Sequence, residues 1–116
     1  MPLGVRERID ANLRSARLAS DNGTTDDAWT LLESAHVLSQ PWARPHVRVH
    51  AAMLVLGWRT RDRAEIRGQI LRLVVAGPGS LTGRYPEGNT GRADVPATRP
   101  MPVPDDLRVL LDVDRG

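Results

Sequence analysis

Cysteine, lysine and phenylalanine are absent from this 116-residue sequence, and each absence narrows what the protein can be. Without cysteine, neither a disulfide framework nor a thiolate metal site is available, so any metal must be held by nitrogen and oxygen ligands. Because there is no lysine, all 16 basic residues are arginine, a bias that indicates a GC-rich bacterial genome rather than a mechanism. Without phenylalanine, Trp29, Trp42 and Trp58 are expected to supply core bulk rather than a base-stacking platform.

Long apolar runs are also lacking. No stretch approaches the ~20 residues needed to cross a bilayer, and the amino-terminal MPLGVRERID lacks the apolar segment of a signal peptide. The sequence therefore predicts a cytoplasmic protein with no membrane partner.

The charges are close to balance. The formal net charge is +2, with 11 arginines against 8 acids in residues 1–76 and 5 against 6 in residues 77–116. The densest basic stretch, WRTRDRAEIR, is interrupted by Asp62 and Glu65, a pattern typical of a solvated helix start. A nucleic-acid partner is therefore disfavoured, although a helical adaptor with an arginine-rich face for an acidic protein or nucleic acid stays open as an alternative function.

Helical spacing of apolar residues dominates the first two thirds of the chain. A sequence of this length that is 41% apolar fits one domain with a modest core. We predict an all-α, four-helix bundle-like domain with a helical core over 1–76. An irregular Gly/Pro-rich segment over 77–104 is expected to pack on that core, and a short last helix over 105–111 to follow Pro104.

Local signals predict where the first two helices end. Gly23, with the asparagine before it, favours a C-terminal cap for a first helix over 3–20. Thr24 and Asp27 stand at capping-box spacing for a second helix. That helix is expected to end near Leu38.

Two prolines and a group of acids predict the next two helices. Pro41 and Pro45 indicate a sharp corner before a third helix that runs to about residue 57. A fourth helix follows the acids at 62 and 65 and ends near residue 76. Its apolar stripe is predicted to consist of Ile66, Ile70, Leu73 and Val74. EGNTG at 87–91 follows no strand and opens no helix, so we interpret it as a turn with positive φ rather than a nucleotide-binding loop.

All three histidines of the chain lie between residues 31 and 53. Glu33 and His36 share one face of the second helix. His46 and His50 are one turn apart on the third helix, a spacing that lets two imidazoles chelate one ion. Because a short corner joins the two helices, we expect these side chains to converge. The sequence therefore predicts a metal site formed by Glu33, His36, His46 and His50.

The ligand types suit zinc, iron, copper or nickel and do not choose among them. An open coordination position would make the protein a metalloenzyme, whereas filled positions would make it a carrier, a sensor or a structural metal protein. A homodimer would set two such sites face to face. Residues expected to support the ligands are Gln40, Glu65, Gln69 and Asn89. For Glu65, a capping box is the favoured interpretation, because it explains the residue without a metal.

Interpretations without a metal stay open. The histidines can form a buried hydrogen-bonded network, or they can share this region as a surface coincidence. An enzyme that uses Glu33 and His36 as acid and base is a further alternative, although no nucleophile or oxyanion donor is identifiable.

Five stretches carry a resemblance to a known family. In chain order these are AHVLSQ, HVRVHAAML, GQILRL, PEGNTG and PMPVPDDL, and over nearly its whole length the sequence resembles the bacterial domain-of-unknown-function 3703 family. The family pattern usually has glycine where Ser39 stands here, and often valine where Glu87 stands. The resemblance implies a small, largely helical, cytosolic bacterial protein. Its signature positions correspond here to Glu33, His36, Gln40, His46, His50, Gln69, Asn89 and Thr90. Since the family name records no activity, a functional argument must start from the site.

Overall fold

The computed structural model describes residues 1–81, 87–93, 95 and 99–112, with the backbone alone for residues 74–81. Across these ranges the chain forms five helices and no strand, which confirms the predicted all-α class. The helices are α1 (Leu3–Asp21), α2 (Thr25–Ser39), α3 (Ala43–Arg59), α4 (Arg63–Leu81) and α5 (Asp105–Asp112). Of the segment predicted to be irregular, residues 82–86, 94 and 96–98 lie outside the described residues. Among the described helices, none is both long enough and apolar enough to span a bilayer.

A tight link joins α1 to α2. Gly23 adopts a φ of +79°, the conformation predicted for a C-terminal cap. The predicted capping box at Thr24 is wrong. Thr24 Oγ1 donates to the carbonyl oxygen of Ala19 at 3.0 Å and makes no side-chain cap to α2. The hydroxyl therefore satisfies the last turn of α1 rather than the first turn of α2.

A corner of three residues, 40–42, joins α2 to α3. The Trp42 N–H donates to the carbonyl oxygen of Ser39 at 2.9 Å, which closes the turn. Pro45 lies in the first turn of α3, where its missing N–H costs no helical hydrogen bond. The predicted proline corner is present, and it places the carboxyl end of α2 beside the amino end of α3.

Two exposed ion pairs join α1 to α3. Arg48 contacts Asp10 and Arg59 contacts Asp21, each with an N···O distance of 2.7 Å. Each pair spans 38 residues of sequence. Because the two separations are equal, α1 and α3 run in the same direction, on either side of α2.

The apolar core is formed mainly by α1, α2 and α3, with one residue of α5. Trp29 is buried there, but Trp58 is 71% exposed, so the expectation that all three tryptophans supply core bulk is wrong for Trp58. Trp58 follows the buried Gly57, and the 100° step between helical neighbours turns its indole outward. The largest fully buried apolar side chains are Val5, Ile9, Leu38, Val49, Met53 and Leu107.

α4 turns a polar face toward the interior. Glu65, Gln69 and Arg72 are buried at helical spacing, whereas Ile70, from the predicted apolar stripe, is 52% exposed. The predicted stripe is wrong at Ile70, whereas Ile66 and Leu73 are partly buried, because part of the interior that α4 covers contains the histidines rather than apolar side chains. The side chain of Val74 lies outside the described residues.

The ends of α4 differ in how well the sequence predicts them. Asp62 Oδ1 accepts from the Glu65 N–H at 3.1 Å, as an N-terminal cap does. The backbone stays helical to Leu81, past the predicted end at residue 76. Gly77 and Pro78 lower helix propensity, but a proline removes one helical hydrogen bond without forbidding continuation of the helix.

Candidate metal centre

Three imidazoles meet at one point between α2 and α3. The Nε2 atom of His36 lies 3.1 Å from Nε2 of His50 and 3.1 Å from Nε2 of His46. The Nε2 atoms of His46 and His50 are 3.2 Å apart, as one helical turn allows. All three residues are buried, with 2% to 7% of their surface exposed. The same nitrogen of each ring therefore occupies one corner of a nearly equilateral triangle.

The proton of the His36 ring is placed by a backbone carbonyl. Nδ1 of His36 lies 2.6 Å from the carbonyl oxygen of Asn89, and a carbonyl oxygen only accepts. Nδ1 must therefore carry the proton and donate it. In the neutral ring this leaves Nε2 with a free lone pair, which is directed at the other two histidines.

Gln69 places the proton of the His50 ring in the same way. The side-chain nitrogen of Gln69 donates to Glu65 Oε2 at 3.1 Å and to the Gly91 carbonyl oxygen at 2.8 Å, two groups that only accept. This fixes the orientation of the amide, so Oε1 of Gln69 faces Nδ1 of His50 at 2.6 Å and accepts from it. His50 also directs an unprotonated Nε2 at the centre.

Two unprotonated nitrogens 3.1 Å apart repel one another unless a cation lies between them. A proton is a poor candidate for that cation. Burial lowers the pKa of His36 well below its usual value, and the charges of His50 and His46 lower it further against the opposing hydrogen bond to Asn89. Burial also lowers the pKa of His50 despite its hydrogen bond to Gln69. His36 and His50 therefore favour the neutral ring, the form in which imidazole binds metals.

Glu33, the fourth predicted ligand, lies outside the histidine group. Its Oε1 lies 3.4 Å from a guanidinium nitrogen of Arg92, and both side chains are partly exposed. The Arg92 guanidinium also stacks on the Trp29 ring, 3.8 Å from the ring centroid. The structure thus brings three of the four predicted ligands together and places Glu33 in an ion pair beside them.

Glu65 connects α4 to the loop that follows it. Its carboxylate accepts from the Arg92 Nε, from the Ala93 N–H at 3.2 Å and from Gln69. Within the described residues, the Glu65 carboxylate accepts only from Gln69, Arg92 and Ala93. A capping box would need it to accept from the Asp62 N–H, which instead donates to the carbonyl oxygen of Gly57, so the favoured capping-box role for the Glu65 side chain is wrong. Through Gln69, the buried charge of Glu65 instead orients the His50 ring.

Residues 88–93, here called the covering loop, lie over the histidines. Gly91 has a φ of +83°, and a Cβ built there would lie 2.6 Å from Cδ2 of His36, so only glycine fits. Gln40 Oε1 accepts from the Gly88 N–H at 3.0 Å, and Asn89 Oδ1 accepts from the Gly91 N–H at 2.9 Å. The predicted turn with positive φ is confirmed. Each of the four predicted supporting residues therefore has a contact at the site. Gln69 and Asn89 contact a histidine, and Gln40 and Glu65 contact the covering loop.

Two arginines of the site were not predicted. The Arg72 guanidinium is buried and donates to the carbonyl oxygens of Gly91 at 3.3 Å and Val95 at 2.6 Å. It follows Gln69 at i+3, so extending the polar face of α4 by one turn would have found it. Arg92 gave no signal, because a single arginine in an irregular segment has no spacing to interpret.

The fold and the site define an all-α protein with a buried cluster of three histidines that could hold a metal ion. A family model described as "Protein of unknown function (DUF3703)" matches residues 4–111, and the chain belongs to this family. No curated protein and no solved structure matches the chain. The chemistry of the site is therefore the basis for a functional argument.

Proposed function

We propose that the protein binds one divalent transition-metal ion through the Nε2 atoms of His36, His46 and His50. The observation that carries this proposal is the triangle of nitrogens, 3.1, 3.1 and 3.2 Å on its sides, in which His36 and His50 have their protons fixed on the opposite ring nitrogen. A purely hydrogen-bonded network needs a proton between each close pair of nitrogens. The partners of these two rings leave the 3.1 Å contact between them without one.

The size of the triangle matches a metal centre. Nitrogens bound to zinc at about 2.0–2.1 Å in tetrahedral geometry are about 3.3–3.4 Å apart, close to the separations in the cluster. Imidazole nitrogen suits zinc, copper, iron and nickel, and hydrogen bonds to Nδ1 of the kind made by Asn89 and Gln69 orient the rings that bind them.

Three protein ligands leave one coordination position for a molecule from outside the chain. Catalytic zinc sites have this arrangement, whereas structural zinc sites use four protein ligands. Among the described residues, no carboxylate joins the histidine group. These features favour a metalloenzyme or a site with an exchangeable ligand over a purely structural one.

The test is metal quantitation on protein purified without a histidine tag, since a tag supplies ligands of its own. We expect about one ion per chain, and loss of that ion in His46→Ala and in His50→Ala. Arg44→Ala serves as the matched control, because Arg44 is exposed on the same helix as His46 and His50. Full metal occupancy in both histidine variants would exclude the site.

The alternative function, an adaptor with an arginine-rich face, has less support. Several exposed arginines on the described surface are paired with acids, such as Arg8 with Asp106 and Arg48 with Asp10, so these parts of the surface carry mixed charge. An adaptor would show association that weakens steeply with salt and does not respond to a chelator. The homodimer stays a prediction, which sedimentation of the metal-loaded protein would test.

A further inference from the structure

Thr90 lies in the middle of the covering loop and has a side chain that the fold alone does not explain. Among the residues that the structure describes, its Oγ1 is the buried side-chain oxygen without a hydrogen-bond partner. Burying a hydroxyl without a partner costs stability, because the contacts with water are lost and not replaced. An unsatisfied buried group of this kind requires an explanation, and a bound ion or ligand is one.

The neighbours of Thr90 fix its position relative to the histidines. Asn89 places its carbonyl oxygen 2.6 Å from Nδ1 of His36. A Cβ on Gly91 would lie 2.6 Å from Cδ2 and 2.9 Å from Nε2 of the same ring. The covering loop therefore crosses the His36 ring from its Nδ1 edge toward its metal-binding edge, and Thr90 is the residue between those two contacts.

We propose that the Thr90 hydroxyl hydrogen-bonds to a small anion bound at the coordination position that the three histidines leave open. Thr90 is thus a positioning residue for the non-protein ligand. This inference rests on the proposed metal site and specifies which ligand the site accepts.

Charge determines that the ligand is an anion. Three neutral imidazoles leave the 2+ charge of the ion uncompensated, and no carboxylate among the described residues joins the group. The Arg72 guanidinium adds a further positive charge, since it is buried and donates to the Gly91 carbonyl oxygen at 3.3 Å. Glu65 and Glu33 share the Arg92 guanidinium, so these two acids balance the charges of Arg72 and Arg92 and the 2+ charge of the ion remains. A hydroxyl suits such a ligand, because it can donate one hydrogen bond and accept others.

The test compares wild-type protein with Thr90→Val, which removes the hydroxyl and keeps the shape of the side chain. Both proteins are loaded with cobalt(II), whose visible spectrum reports coordination, and are titrated with azide as the probe anion. We expect one cobalt per chain in both proteins. We expect azide affinity to fall about tenfold in Thr90→Val, as loss of one hydrogen bond to a charged group predicts, and to be restored in Thr90→Ser. Thr30→Val is the matched control, because Thr30 is exposed on α2 and donates to Asp26 within that helix.

A second measurement separates this role from a structural one. If Oγ1 has no partner in the protein, the metal-free Thr90→Val variant should have a Tm equal to or above that of the wild type. A clearly lower Tm, or unchanged azide affinity with cobalt bound, would overturn the role of Thr90 and leave the metal site intact. Failure of the wild type to bind cobalt would overturn both proposals.

Discussion

Two groups of ion pairs in this protein contrast in their surroundings. On the outside, Arg48 and Asp10 join α1 to α3 with side chains 60% and 30% exposed. In the interior, Glu65 is 4% exposed and meets Arg92, which is 23% exposed, together with Gln69 and a backbone N–H. Exposed pairs contribute little to stability, whereas a buried carboxylate requires every partner that it has. The difference indicates that the buried Glu65–Arg92 pair belongs to a site, whereas the exposed Arg48–Asp10 pair contributes to solubility.

The largest expected effect comes from breaking the interior group. Glu65→Ala leaves the Arg92 guanidinium, the Gln69 amide and the Ala93 N–H without their shared acceptor. We expect a loss of about 3 kcal/mol in the free energy of unfolding, measured by urea denaturation of the metal-free protein. A loss below about 1 kcal/mol would place this carboxylate in the same class as the exposed pairs.

The covering loop gives the next largest effect. Gly91→Ala would force a Cβ against His36 at a φ of +83°, and we expect unfolding to become easier by about 2 kcal/mol or more. Gly4→Ala is the matched control, since Gly4 is helical and its nearest atom would be 3.8 Å from the new Cβ. That control should stabilise the protein by about 0.5 kcal/mol. Equal thermal shifts in the two variants would show that the loop is not seated on His36 in solution.

A variant of Gln69 tests whether the buried group around Glu65 contributes to metal affinity or only to the stability of the fold. Gln69→Leu removes the acceptor from Nδ1 of His50, and we expect metal affinity to fall about 10- to 100-fold in a competition titration with a chelator. Asn12→Leu is the control: this buried amide donates to the Leu31 carbonyl oxygen. It should lose stability and keep its metal affinity. Parallel losses of affinity in both variants would contradict a specific role for Gln69.

The smallest effect is expected on the outside. Asp10→Ala removes the partner of Arg48, and the loss should be at most about 1 kcal/mol and should shrink further at high salt. Urea denaturation at low and high ionic strength measures it. A loss as large as that of Glu65→Ala would remove the contrast between the two groups.

Sequence spacing predicted the histidine cluster because its three members are close in sequence. His46 and His50 lie one helical turn apart, and the proline corner brings His36 to them, so two simple rules were sufficient. The placement of Glu33 was not predictable in this way, because its ion-pair partner Arg92 is 59 residues away. Non-local contacts of that kind leave no periodic signal.

The inward face of α4 shows a second limit. The predicted apolar stripe consisted of Ile66, Ile70, Leu73 and Val74, and the usual rule buries such a stripe. That rule assumes an apolar interior. Here the interior against α4 contains His50 and the carbonyl oxygen of Gly91, so Gln69 and Arg72 are buried and Ile70 is exposed. Knowing the site in advance would have reversed the prediction.

The order of residues along the chain also sets an order of events during synthesis. The three ring nitrogens all come from residues 36–50, whereas the carbonyl that orients His36 belongs to Asn89, 39 residues after His50. At typical translation speeds those residues take roughly 2–8 s. A nascent chain thus exposes a complete set of imidazoles to cellular ions well before the segment that will enclose them has been made.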